Sequence, residues 1–212
     1  MKFDIRMLVA VPAAAAILAA PLPAQEIALK GGITLSRFQT NGPFDDRFVA
    51  TAFGAHARFG VGRFALQPEL QMVTRGAAAA SMDTRMRLEY MELPIMLVVP
   101  VYIGAFETYA FGGPMLSLQA RCRFTVEQND LKTNFDCDDA TGAGSFERRT
   151  IDYGVSAGAG ISRRVGSGRV LLEGRHTWGL RDIYDGPDAD IEVRNRSFIF
   201  SIGYAIVPDD MD

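Results

Sequence analysis

The 212-residue chain has only two cysteines, two histidines and one tryptophan. So few cysteines exclude a small disulfide-stapled scaffold, and two histidines make no convincing metal site. An excess of one charge is also missing. The formal net charge is −3 and the charges are dispersed, which excludes the concentrated basic face of a nucleic-acid binder. No helical apolar period persists after residue 25. The one long apolar run, residues 7–20, falls short of the roughly 20 residues that a spanning helix needs. That run follows Lys2 and Arg6 and precedes Pro21 and small residues up to Gln25, which is the order of a cleaved secretory signal. The expected organisation is a signal peptide over residues 1–25, one domain over 26–207 and a short acidic tail over 208–212.

What the chain does have is glycine, aromatic residues and strict alternation, which together favour an all-β fold. Residues 88–100 are the clearest case. Met91, Leu93, Ile95, Leu97 and Val99 form an apolar row, while Tyr90, Glu92, Pro94, Met96 and Val98 form a second row that carries a phenol and a carboxylate. Successive side chains of a strand point to opposite faces, so this pattern suits hydrocarbon on one side and a confined polar interior on the other.

Similar alternation marks seven more strands, at about residues 27–36, 49–59, 64–75, 104–121, 152–161, 170–181 and 197–206. Pro68 cannot donate to a ladder, so a bulge is expected there. The faces of the fifth strand are ambiguous around Gly112, Gly113 and Pro114, and residues 122–148 show no strand pattern. Connections one, three, five and seven are long and polar, and the even-numbered ones are three to five residues long. This parity predicts an eight-stranded antiparallel up-and-down transmembrane β-barrel, with short turns in the periplasm and long loops outside the cell. Closure leaves no unpaired edge in lipid. A soluble lipocalin-like barrel is the structural rival.

Several blocks carry a resemblance: residues 64–70 (Phe64 to Leu70), residues 88–94, Gly112-Gly113-Pro114, Gly158-Ala159-Gly160, and Glu173-Gly174-Arg175 with Gly179-Leu180. In order and spacing, from about Lys30 to Tyr204, the chain resembles the PorT-like family of outer-membrane β-barrel proteins. The resemblance implies an eight-stranded barrel in the outer membrane of a Gram-negative bacterium. It also implies a family with few assigned activities and some association with protein secretion. The end departs from the pattern: Pro208 and acidic residues follow Ile206 and Val207, where such barrels often finish on an aromatic residue.

The polar faces collect Lys30, His56, Arg58, Gln67, Glu69, Gln71, Arg75, Tyr90, Glu92, Asp152, Glu173 and Arg175. An eight-stranded barrel is just wide enough for side chains to fill, so these groups are expected to form an interior polar network. A narrow polar channel or proton path is the alternative. Cys122 and Cys137 share one long loop, and in an exported chain a disulfide between them is expected. Arg121, Arg123, Arg148, Arg149, Arg181, Arg194 and Arg196 fall where strands meet the outer loops, placed to pair with lipopolysaccharide phosphates or with acidic loop residues. Phe48, Trp178 and Phe198 near that rim, and Phe59, Phe64, Tyr102 and Tyr204 near the other, would supply the aromatic girdles.

Candidates for chemistry are weak. His176 is expected to face lipid, where one class of outer-membrane lipid deacylase has a serine two positions after its histidine, but Trp178 stands there. Without a hydroxyl nucleophile beside the base, acyl transfer has no attacking group. Residues 136–147 have acids at the first, third and twelfth places of a calcium loop, but Ala140 replaces the fifth ligand and Gly142 comes one place late. The acidic loop of Asp182, Asp185, Asp188, Asp190 and Glu192 reads as a solvated surface. No catalytic, metal or cofactor residues are therefore expected. The expected partners are outer-membrane lipid, lipopolysaccharide and an extracellular or envelope protein met by the outer loops. The protein is read as a monomeric, non-enzymatic barrel for binding, adhesion or support of the envelope or of secretion. A small passive channel is the next reading, and a lipid-modifying enzyme the third.

Overall fold

The structure is a computed structural model that describes residues 26–40, 47–79, 84–128, 131–137, 149–183 and 192–207. The expected signal peptide and acidic tail lie outside these residues. Nine strands follow in order: β1 (Glu26–Thr40), β2 (Phe48–Val61), β3 (Phe64–Ala79), β4 (Thr84–Ile103), β5 (Phe106–Gln128), β6 (Leu131–Asp136), β7 (Ile151–Val165), β8 (Gly168–Gly179) and β9 (Val193–Ile206). All but β6 build an antiparallel eight-stranded barrel, closed by β1 against β9 and by β4 against β5.

The turns at one end are tighter than the sequence predicts. Gly62-Arg63, Gly104-Ala105 and Gly166-Ser167 are two-residue links, because the strands run on to the turn itself. The glycine in each adopts a φ between 61° and 64°. The left-handed region suits the right-handed twist of a two-residue hairpin, and glycine enters it at no steric cost.

Two further expectations are corrected. Residues 122–148 do contain strand: β5 continues to Gln128 and pairs with β6. At Pro68 there is no bulge. The ladder with β2 is interrupted between the His56–Glu69 and Phe59–Leu66 pairs, but its register is unchanged across the gap. The bulge lies instead in β5, where Arg121 is opposite Glu89 and Gln119 is opposite Tyr90. Ala120 is the extra residue, and an extra residue flips strand parity. Hence Ser117 is buried inside, and so, five residues on, is Cys122.

Alternation decides what meets lipid. Leu29, Phe53, Met72 and Ile202 are more than half exposed on the outside, and residues two positions along the same strands continue that belt. Fully burying such a side chain is worth about 1.5–3 kcal/mol, so a ring of them around a closed barrel calls for a hydrocarbon solvent. Phe64, Tyr102, Phe106 and Tyr204 are exposed near the short turns, where an aromatic girdle belongs.

Candidate functional site: the barrel interior and the outer rim

The structure places all twelve of the expected interior residues inside the barrel, each less than a tenth exposed. They form successive layers, the first two joined through Gln67, which accepts from Arg58 and donates to Glu69. Nearest the short turns, Arg58 donates from Nη1 to Glu107 Oε1 and from Nε to Gln67 Oε1, both at 2.9 Å. His56 Nε2 lies 3.2 Å from Glu26 Oε1, and Arg169 pairs with Glu107.

The middle layer is the most connected. Arg175 holds Glu69 with two parallel bonds, Nη1 to Oε2 at 2.8 Å and Nη2 to Oε1 at 2.7 Å. Lys30 Nζ joins that carboxylate at 3.1 Å and Glu173 at 2.8 Å. Gln67 and Gln71 also donate to Glu69, and the Tyr109 hydroxyl donates to Glu173 at 3.1 Å. Buried charges are expensive to desolvate, and a two-pronged pair with its remaining lone pairs satisfied is the arrangement that offsets this cost.

In the third layer Arg75 Nη2 meets Glu92 Oε1 at 2.8 Å, and Ser117 donates to the same oxygen at 3.2 Å. Asn195 donates to Asp152 at 2.8 Å and to the Tyr90 hydroxyl at 3.2 Å. Glu92→Leu should therefore destabilise the folded barrel by at least about 1.5 kcal/mol, the low end for a hydrogen bond to a charged group. The measurement is the urea concentration at which the unboiled, faster-migrating form is lost from a denaturing gel. Conductance in planar bilayers should stay unchanged, and a new ion current in this variant would contradict a filled interior.

Above these layers the interior turns apolar. Phe38, Met86, Leu88, Ile183, Val193 and both cysteines form a buried cluster at the outer mouth. Cys122 and Cys137 are disulfide-bonded, with Cα atoms 5.5 Å apart. The bridge ties the base of the β5–β6 hairpin into this plug.

Several of the outer-rim arginines that the structure describes engage different groups. Arg123 Nε is 3.8 Å from Asp136, Arg194 Nη2 is 3.0 Å from Glu192, and Arg181 donates to the Ile151 carbonyl at 3.0 Å. Arg149 donates its backbone N–H to Ile183, Arg121 is exposed, and Arg196 Nε donates to Gln39 at 2.9 Å. Arg148 and most of the acidic segment 136–147 lie outside the described residues, as do Asp185, Asp188 and Asp190. His176 stacks on Trp178 at 4.1 Å between ring centroids.

Sequence reasoning missed Glu26, Glu107, Tyr109, Ser117, Arg169 and Asn195 as interior partners. For Glu107, Tyr109 and Ser117 a signal existed. All three share parity in β5, but the Gly112-Gly113-Pro114 interruption obscured it. Arg169 and Glu26 sit at strand ends, where alternation is too short to read.

A family model described as outer membrane protein beta-barrel domain matches residues 24–185. No curated protein matches the chain. Among solved structures, the chain is similar to the attachment invasion locus protein Ail of Yersinia pestis, at 11% identity and a TM-score of 0.46, over 86% of this chain and 99% of that one. Neisserial surface protein A is similar at 10% identity and a TM-score of 0.49, over 86% and 97% of the two chains. The outer membrane protease OmpT of Escherichia coli is similar at 8% identity and a TM-score of 0.47, over 90% and 99%. With its closed antiparallel barrel, its lipid-facing apolar belt and this match over most of its length, the chain belongs to the outer membrane protein β-barrel domain family and is a protein of the bacterial outer membrane.

Proposed function

We propose that the protein is a monomeric, non-enzymatic barrel with a closed lumen, and that its outward-projecting sheet is a binding or adhesion surface. One observation carries this reading: the interior is blocked by ion-paired layers and an apolar plug, while the sheet continues beyond the barrel wall. The β5–β7 ladder ends at Leu118–Ile151, and farther out β5 exchanges β7 for β6 and keeps β4 as far as Val126. The result is a ribbon that carries exposed Arg121, Arg123, Phe135 and Asp136, held at its base by the disulfide. A filled interior leaves the loops and this ribbon as the surfaces available to a partner. Support of a secretion machine, as in PorT-like proteins, rests on the sequence blocks.

The test shortens the ribbon and spares the disulfide, by replacing residues 126–133 with a two-residue turn. Cells displaying the intact chain should adhere to surfaces coated with extracellular-matrix protein, and cells displaying the shortened chain should fall to the level of cells without it. The purified intact chain should give no discrete current steps in planar bilayers and release no acyl chains from lipopolysaccharide. Uniform current steps would replace the reading with a passive channel, and acyl release would replace it with a lipid-modifying enzyme.

A further inference from the structure

On the outer wall, just above the apolar belt, arginines from three neighbouring strands form a row. Arg37 of β1 is directly opposite Arg196 of β9, and Arg196 is directly opposite Trp178 of β8. Arg47 immediately precedes β2, whose Phe48 is opposite Ser36, so it stands next to Arg37 with the parity of lipid-facing Val49. Like charges directly opposite each other destabilise a sheet unless something lies between them to neutralise them. No ion pair joins any of the three to a described residue. Glu192 is engaged by Arg194, and among the described residues the one polar partner of Arg196 is the uncharged Gln39.

Beneath the row the wall changes character twice. First comes an aromatic ledge in which His176 packs on Trp178, and Phe198 lies against Phe200 at 4.5 Å between ring centroids. Four residues below the row, about 13 Å along the strand, Phe200 is opposite Gly174, and Gly174 is opposite Ala159. There the missing side chains leave an apolar trough of about 620 Å³, bounded by Ile33, Leu172, Phe200 and Ile202.

We propose that the row, ledge and trough form a single binding site for a phosphorylated, acylated glycolipid of the outer leaflet. The phosphate lies between Arg37 and Arg196, with Arg47 beside it, and an acyl chain runs over the rings into the trough. Guanidinium groups pair bidentately with phosphate oxygens, and a phosphate between two of them removes their repulsion. Free phosphate would satisfy the arginines but leave the trough without an occupant. The site needs only the position of the barrel in the membrane, and stands whether or not the outer ribbon is adhesive.

The test uses the full-length protein folded in phosphate-free detergent and read by native mass spectrometry. The probes are lipid A carrying both phosphates and the same lipid after phosphatase treatment. The wild type should retain one phosphorylated molecule with about tenfold preference over the dephosphorylated form, the ratio given by one charged hydrogen bond. Arg37→Gln with Arg196→Gln should abolish the preference, whereas Arg123→Gln on the ribbon should keep it. Gly174→Leu should weaken both lipids by filling the trough; a side chain there is accommodated, since its Cβ would lie 3.7 Å from Phe198. Unboiled gel migration checks that each variant is folded. Equal retention of the two lipids by the wild type overturns the proposal without reference to any variant. So does an unchanged preference in the double variant, or displacement of the lipid by an equal concentration of inorganic phosphate.

Discussion

Arg175→Met is expected to cost about 3–5 kcal/mol of stability, because it leaves buried carboxylates without the cation that compensates them. Arg175 supplies both of the short parallel bonds to Glu69. Once it is gone, Glu69 and Glu173 share only Lys30 as a cation within ion-pair distance among the described residues. Neither carboxylate can turn toward water, since both side chains are almost fully enclosed. Methionine restores much of the lost volume, so the loss reports the missing charge rather than a void. The measurement is the urea midpoint of the unboiled folded band, in matched lipid vesicles. Glu69→Leu combined with Arg175→Met removes both partners and should recover most of the loss, since replacing a whole buried pair by apolar groups is often close to neutral. If the single variant and the wild type unfold at the same midpoint, the middle layer is not holding the barrel together.

The residues of that layer were legible in the sequence for a simple reason. A strand in a barrel wall has two solvents, and period-two alternation with charges in one row specifies which side is the interior. Lys30, Glu69, Glu173 and Arg175 lie mid-strand, far from any disturbance of parity. Where parity is disturbed the sequence becomes ambiguous. The extra residue at Ala120 moves Cys122 to the inside, and neither flanking segment reveals on its own that the row has switched. The apolar plug was hidden for a different reason. Met86 and Leu88 are as apolar as the lipid-facing rows, so composition does not separate lipid from a dry interior. The arginine row was half visible. Arg196 stood out from the sequence, but Arg37 opposite it and Arg47 beside Arg37 come from opposite ends of the first loop, and only the register brings them into one row.

Register also explains the run of glycines in β7. Gly158 and Gly160 share the interior parity of Asp152 and Ser156, and their places are taken by rings from β5. A Cβ on Gly158 would lie 2.6 Å from Phe111 Cζ, and one on Gly160 would lie 2.4 Å from Tyr109 Cζ. The two rings lie across the bare backbone of the neighbouring strand, which brings the Tyr109 hydroxyl to Glu173 and places Arg58 4.7 Å above the Tyr109 ring. An alternating Gly-Ala-Gly stretch thus sets the position of a phenol that joins two charged layers.

Gly160→Leu should accordingly be the other severe substitution. The added carbons enter a packed interior at the position of the Tyr109 ring. The ring cannot swing away without abandoning Glu173, and overpacking of this kind costs about 3 kcal/mol at the upper end of its usual range. The loss of the Tyr109 bond to a carboxylate adds to that cost. Gly160→Leu combined with Tyr109→Ala removes the steric conflict and should recover part of the loss. Full recovery is not expected, because Glu173 still loses its phenol donor. Tyr109→Phe alone separates the two contributions, since it keeps the ring and deletes only the hydroxyl. The readout is again the urea midpoint of the folded band, accompanied by the yield of folded protein in vesicles. Gly174→Leu, at a lipid-facing glycine of the neighbouring strand, is the control: it should fold with near wild-type yield. If Gly160→Leu folds as well as that control, β7 does not require glycine at this position and the Tyr109 ring is free to move.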